Sequence, residues 1–218
     1  MMRALVLISI AACATATAEH RAGDGGTSEG DAADHRDAEV TQHDGSASGS
    51  ASGSGSGCSF TGDLATWDLT GQTGSEVAVV AGMTANGVTA GALTRSGGIN
   101  ASTGIGSINS TNWPSQATLD NAKYYKFTVA APTGCTITIT GLSIDLKASG
   151  TGPVMGSLAT SVDAFAATMT ASTTAPSTPT LTVSSTSGIE LHVYGFSATS
   201  AGGTLRIQNL LVVRGSLE

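Results

Sequence analysis

From Tyr124 onward, apolar side chains recur at every second position in short runs, and no stretch keeps them at helical spacing. Tyr125, Phe127 and Val129 share one face of such a run, with Tyr124, Lys126 and Thr128 on the other. Ile137 and Ile139 alternate with threonines, and Ile144 and Leu146 alternate with Asp145 and Lys147. Ile189, Leu191 and Val193 alternate with Glu190, His192 and Tyr194, and residues 204–213 are more continuously apolar. Gly, Ser, Thr, Asn and Pro separate the runs. Strands of this kind bury one face each, and many of them without a helical stripe predict two packed layers, a β-sandwich over residues 58–218. Pro114 also suits a first helical position, which would allow a short helical turn after Trp113.

The alternation does not extend to the first quarter of the chain. Between His20 and Gly57 there is one large aliphatic residue, Val40, and no aromatic. Such a stretch buries too little apolar surface to offset chain entropy. Residues 45–57 contain only Gly, Ser and Ala, so 19–57 reads as a disordered linker, acidic first and Gly/Ser-rich after. Charge follows the same division. The chain has a net charge of −7, of which residues 1–18 carry +1, 19–57 carry −6 and 58–218 carry −2. His20, His35 and His43 lie among the acidic residues of the linker, where nothing preorganises them, so no metal site is expected there. An acidic chain with 9 Lys and Arg offers no footprint for nucleic acid. No run of about 18 apolar residues provides a membrane span.

Residues 1–18 have the form of an export signal: Arg3, then an apolar core from Ala4 to Ala12. Two cleavage sites compete. Ile10-Ala11-Ala12-Cys13 resembles a bacterial lipobox, in which Cys13 takes the lipid and becomes the first mature residue. Ala16-Thr17-Ala18 suits ordinary signal peptidase, with Glu19 as the new N-terminus. The lipoprotein is favoured, because the apolar core ends at the Cys and a tether follows. This places the protein in the cell envelope, at the outer membrane or cell surface, with free secretion as the alternative. From Cys13 the linker would span about 35–40 Å.

With Cys13 acylated or removed, Cys58 and Cys135 remain as an even pair in an oxidising compartment, where disulfides persist. A bond between them would pin the first strand to a neighbour. Two separate thiols remain the alternative, since spacing alone does not establish contact. Neither has a Cys or His nearby at metal-ligand spacing, so no metal is expected.

A resemblance covers residues 60–215. Thr66-Trp67-Asp68-Leu69-Thr70, Asn112-Trp113, Tyr124-Tyr125-Lys126-Phe127-Thr128 and Ser149-Gly150-Thr151-Gly152-Pro153 follow one another in order. Ser161-Val162-Asp163-Ala164-Phe165-Ala166, Tyr194-Gly195-Phe196-Ser197-Ala198 and Gly203-Thr204-Leu205-Arg206-Ile207-Gln208-Asn209-Leu210 complete the pattern. This order resembles a domain that recurs in secreted bacterial proteins beside surface-anchor or sorting signals. The resemblance implies a jelly-roll-like sandwich with a non-catalytic accessory or surface role. Two positions depart from the pattern: Ala164 stands where the pattern has Gly, and Gln208 where it has Asp. In related carbohydrate-binding jelly rolls that Asp helps to hold a calcium, so the resemblance does not carry a calcium site to this chain.

Catalytic motifs do not favour an enzyme. There is no Gly-x-Ser-x-Gly elbow, zinc-type histidine pair or phosphate-binding loop. His192, the single histidine of 58–218, shares a strand face with Glu190 and Tyr194, but a lone pair without a nucleophile reads as a surface strand. Ser149–Pro153 reads as a turn. No catalytic residue and no cofactor is expected. The function expected is that of a non-catalytic, exported, lipid-anchored surface protein with a structural or adhesive role. Its partners would be a glycan or another surface protein, and the membrane through the lipid alone. A carbohydrate-binding module is the alternative and a secreted hydrolase a distant one. Trp113 and Tyr124 are the candidate sugar platforms, with a core plug the favoured alternative for Trp113. Their exposure would favour sugar binding and their burial the structural role.

Overall fold

The computed structural model describes residues 58–218 apart from Asn86. The export signal, Cys13 and the linker at 19–57 lie outside the described residues. Fourteen strands follow one another among those described. The first seven are β1 (Phe60–Asp68), β2 (Ala78–Val79), β3 (Met83–Thr84), β4 (Thr89–Ala90), β5 (Leu93–Arg95), β6 (Asn100–Ser102) and β7 (Ser107–Thr111). The rest are β8 (Tyr124–Ala130), β9 (Ile137–Ala148), β10 (Pro153–Thr160), β11 (Met169–Ala171), β12 (Thr180–Ser185), β13 (Gly188–Ala198) and β14 (Leu205–Leu217).

These strands form two antiparallel sheets packed face to face. One runs β12-β9-β14-β1-β3, with β7 and then β6 joined at the start of β14, and the other runs β11-β10-β13-β8-β5-β2, with β4 against β8. The longer strands therefore pair as β1-β14-β9-β12 and β8-β13-β10-β11. That is a jelly roll: first and last strands are neighbours, and the chain crosses between sheets at nearly every connection. The short strands β2 to β7 form an insertion between the first two jelly-roll strands.

Alternation sets the inward faces as the sequence predicts. Tyr125, Phe127, Val129, Ile189, Leu191 and Val193 are all at most 1% exposed. Trp67 meets Phe127 edge-on across the core, ring centroids 4.9 Å apart, a geometry that adds about 1 kcal/mol to area burial. The buried Tyr125 hydroxyl donates to the Leu205 carbonyl of the opposite sheet at 2.6 Å. Its otherwise costly polar atom thus becomes a tie between the layers.

Ile137 and Ile139, read as one short run, and Ile144 and Leu146, read as another, belong to one twelve-residue strand. The buried positions change from odd to even at Gly141, and the pairing with β14 slips between Arg214 and Gly215. A β-bulge inserts one residue and so turns the remaining side chains to the other face.

The helical turn that Pro114 would allow after Trp113 does not form. The carbonyls of Pro114 and Gln116 instead accept the N–H groups of Ala198 and Ser197, which holds that segment extended along the end of β13. Ser149–Pro153 is a turn, closed by Gly152 N–H donating to Ser149 O at 3.0 Å. An added Cβ on Gly152 would lie 2.1 Å from the Thr204 carbonyl oxygen, so glycine is what lets the turn pack on the start of β14.

Cys58 and Cys135 form a disulfide with Cα atoms 5.4 Å apart. It does not join hydrogen-bonded neighbours. Leu217 of β14 pairs with Phe60 of β1 on one side and Ile137 of β9 on the other, so the bond straps two strands across the end of the one between them.

Candidate functional site

β13 turns Ile189, Leu191 and Val193 into the core, which places Glu190, His192 and Tyr194 on the outer face of the second sheet. Antiparallel register brings Lys126 beside His192 and Tyr124 beside Tyr194 from β8. A surface strand would leave this row in water. Here His192 is 5% and Tyr194 2% exposed.

The loop after β10 supplies the cover. A 3-10 turn at Ser161–Asp163 ends on Ala164, which has φ 56°, and Phe165 follows with φ 63°. Two consecutive non-glycine residues in the left-handed region cost on the order of 1–2 kcal/mol each and persist only where the surroundings hold them. Phe165 N–H donates to Thr160 O, Ala167 N–H to an Asp163 carboxylate oxygen, and Glu190 N–H to Ser161 Oγ. The strained corner lays the Phe165 ring flat on the imidazole of His192, centroids 3.8 Å apart and 7° from parallel. Tyr124 stacks on the opposite face at 3.8 Å and 14°.

Both imidazole nitrogens are occupied. Nε2 lies 2.6 Å from Glu190 Oε1 and Nδ1 lies 3.0 Å from the Tyr194 hydroxyl. A carboxylate only accepts, so Nε2–H donates to Glu190 and Nδ1 accepts from the Tyr194 O–H. Lys126 Nζ stands 3.9 Å from the other Glu190 oxygen. Burial pushes the His192 pKa below its usual value, outweighing the pull of the Glu190 hydrogen bond and charge, and the Lys126 charge lowers it further. Burial raises the Tyr194 phenol, aided by Tyr124 and Glu190. The His–Tyr pair is therefore neutral at pH 7.

These groups border a pocket of about 310 Å³ lined by Asn121, Tyr124, Ala164, Phe165, His192 and Tyr194. Its walls combine half-exposed aromatic edges with an exposed amide, and none of the lining residues is charged at pH 7. None carries a Ser, Thr or Cys nucleophile either. The arrangement offers aromatic edges and one amide to an uncharged polar ligand.

Of the two predicted platforms, Tyr124 lies in this pocket and Trp113 does not. Trp113 is 2% exposed, its indole N–H donates to Ser110 O at 2.9 Å and its ring packs on Tyr125 at 5.4 Å. It is a core residue, because the loop that carries it turns inward and satisfies its one polar atom. Phe165 and Asn121 were not among the predicted residues. The Asp-Ala-Phe corner was the signal for Phe165, since Ala164 stands there where the resembling pattern has Gly.

Gln208 and Asn209 both donate their side-chain amides to Asp145, at 2.9 and 2.7 Å. An amide of Gln208 thus fills with a donor the place where an Asp would have offered a second carboxylate. Among the described residues no three His, Cys, Asp or Glu side chains converge as metal ligands.

No protein-family model matches this chain, and no curated protein or solved structure matches it either.

Proposed function

We propose that this protein is exported, held at the cell envelope through a lipid on Cys13, and serves there as a non-catalytic structural or adhesive domain. The observation that carries the reading is the Cys58–Cys135 disulfide at the entry to the domain. Bonds of this kind persist outside the reducing cytosol, and they suit a domain displayed on a tether. The enclosure of His192 argues in the same direction. Its nitrogens are taken by Glu190 and Tyr194 and its faces by two rings, which leaves no base open to a substrate. The resemblance to surface-associated bacterial domains agrees with this role.

Metabolic labelling with a fatty-acid analogue tests the anchor. The wild-type chain takes up the label and Cys13→Ser does not. An unlabelled wild-type protein beginning at Glu19 would overturn the lipid anchor and leave free secretion.

A second reading, a carbohydrate-binding module, is favoured by the pocket beside Tyr124, where aromatic walls meet the Asn121 amide. A glycan array with the purified protein separates the two. Retention of defined sugars by the wild type, lost in Tyr124→Ala, supports sugar binding. A blank array together with retained adhesion to cells supports the structural role.

A further inference from the structure

On the outer face of the first sheet, Arg206 of β14 stands directly opposite Lys147 of β9. The buried residues on either side, Leu146, Leu205 and Ile207, fix both cations outward. Like charges in direct cross-strand register repel. Among the described residues, neither cation has an ion-pair partner. The Arg206 Nε is buried and has no hydrogen-bond acceptor among the described residues.

The neighbours do not supply one. Asn109, opposite Arg206 on β7, gives its amide to Thr103 O and accepts the Ser110 N–H. Asp145, two residues from Lys147, is bound by the amides of Gln208 and Asn209. Lys147 and Arg206 flank a cavity of about 230 Å³ whose wall is completed by Ala148, Ser149 and Thr204. Ser149 Oγ already accepts the Thr204 N–H at 2.9 Å, so its own proton remains available as a donor. The polar side chains around this cavity are two cations and two hydroxyls.

We propose that this cavity binds an oxyanion group: a carboxylate, sulfate or phosphate. The planar guanidinium of Arg206 matches two oxygens side by side, and Lys147 adds a compact charge from the neighbouring strand. The Ser149 and Thr204 hydroxyls line the same space. At about 30 Å³ per water, the cavity has the room of about eight waters, enough for the oxyanion and a few atoms of the molecule bearing it. The site lies on the sheet opposite the Tyr124 pocket and does not depend on the sugar reading.

The test uses the full chain, isotopically labelled, with the Nε–H resonance of Arg206 followed by NMR. Sodium sulfate, sodium phosphate and sodium glucuronate are titrated separately, with sodium chloride at matched ionic strength and glucose as controls. A saturable shift at millimolar concentration with at least one oxyanion, absent with both controls, is the expected result. Preference for glucuronate would assign the source to acidic sugars, and preference for sulfate or phosphate to tetrahedral anions. Read from backbone amides of residues 147–149 and 204–206, Arg206→Gln weakens binding at least tenfold. Arg206→Lys, which keeps the charge but loses the fork, weakens it about as much, and Lys147→Gln weakens it several-fold. Should Arg206→Gln fail to fold, Lys147→Gln decides, because that side chain is exposed. Equal shifts with chloride, or unchanged affinity in the folded Arg206→Gln or Lys147→Gln protein, would overturn the proposal.

Discussion

Cys58 and Cys135, 77 residues apart in sequence, meet across the end of β14 with their Cα atoms 5.4 Å apart. Closing a loop of this length contributes about 4 kcal/mol by chain entropy. Reduction, or the double variant Cys58→Ser/Cys135→Ser, should therefore lower stability by about that amount. At about 2–4 °C per kcal/mol, the melting temperature should fall by about 8–16 °C. Thermal melts with and without reductant measure it.

The His192 imidazole has a folded pKa below its unfolded value of about 6.5. As pH falls, the unfolded chain takes up that proton first. The stabilisation is thus full above pH 6.5 and is lost as pH drops toward the lowered folded pKa. Between pH 7.5 and 5, wild-type protein should lose more thermal stability than His192→Gln. Paired melts across that range provide the comparison.

Ala164 has φ 56°, a conformation that glycine adopts without steric cost. Ala164→Gly should raise stability by about 1 kcal/mol, the relief of strain exceeding the added freedom of the unfolded chain. Urea denaturation should show a higher midpoint at an unchanged slope.

Two glycines of one turn should respond differently. A Cβ on Gly152 meets the Thr204 carbonyl at 2.1 Å, whereas one on Gly150 meets nothing within 4 Å. Gly152→Ala should cost about 2–3 kcal/mol, and Gly150→Ala less than about 0.5 kcal/mol. The same denaturation assay ranks them.

Trp67 and Trp113 are 0% and 2% exposed. Their fluorescence should be blue-shifted and poorly quenched by acrylamide. Trp113→Ala should cost about 3–5 kcal/mol as a large core deletion.

The core was legible in the sequence wherever alternation ran unbroken, as at Tyr125, Phe127 and Val129, because a period of two needs no information from distant residues. The strand 137–148 was legible only in halves, since its bulge at Gly141 reverses the phase that the eye follows. The pairing of β1 with β14 joins residues at opposite ends of the domain and leaves no local signature. The site was half visible. The shared face of Glu190, His192 and Tyr194 followed from spacing, but the ring that covers His192 arrives on a loop. Its left-handed corner uses Ala164 and Phe165, which do not advertise that conformation as glycine does. Trp113 illustrates the opposite limit: a loop-like setting before proline does not reveal that a carbonyl waits inside for its N–H.

The strap between Cys58 and Cys135 also decides how the domain carries a pull. Tension applied at the Cys58 end passes through the sulfur bridge directly into Cys135 and the start of β9, so β1, the insertion and β8, up to Gly134, bear none of it. The chain between the two cysteines, with a sequence separation of 77, would otherwise pay out about 250 Å of slack. With the bridge intact that length stays locked, and because Ile137 and Leu217 are paired at the same end of the sheet, a stretched domain would open between β9 and β14 before its first strand is drawn out.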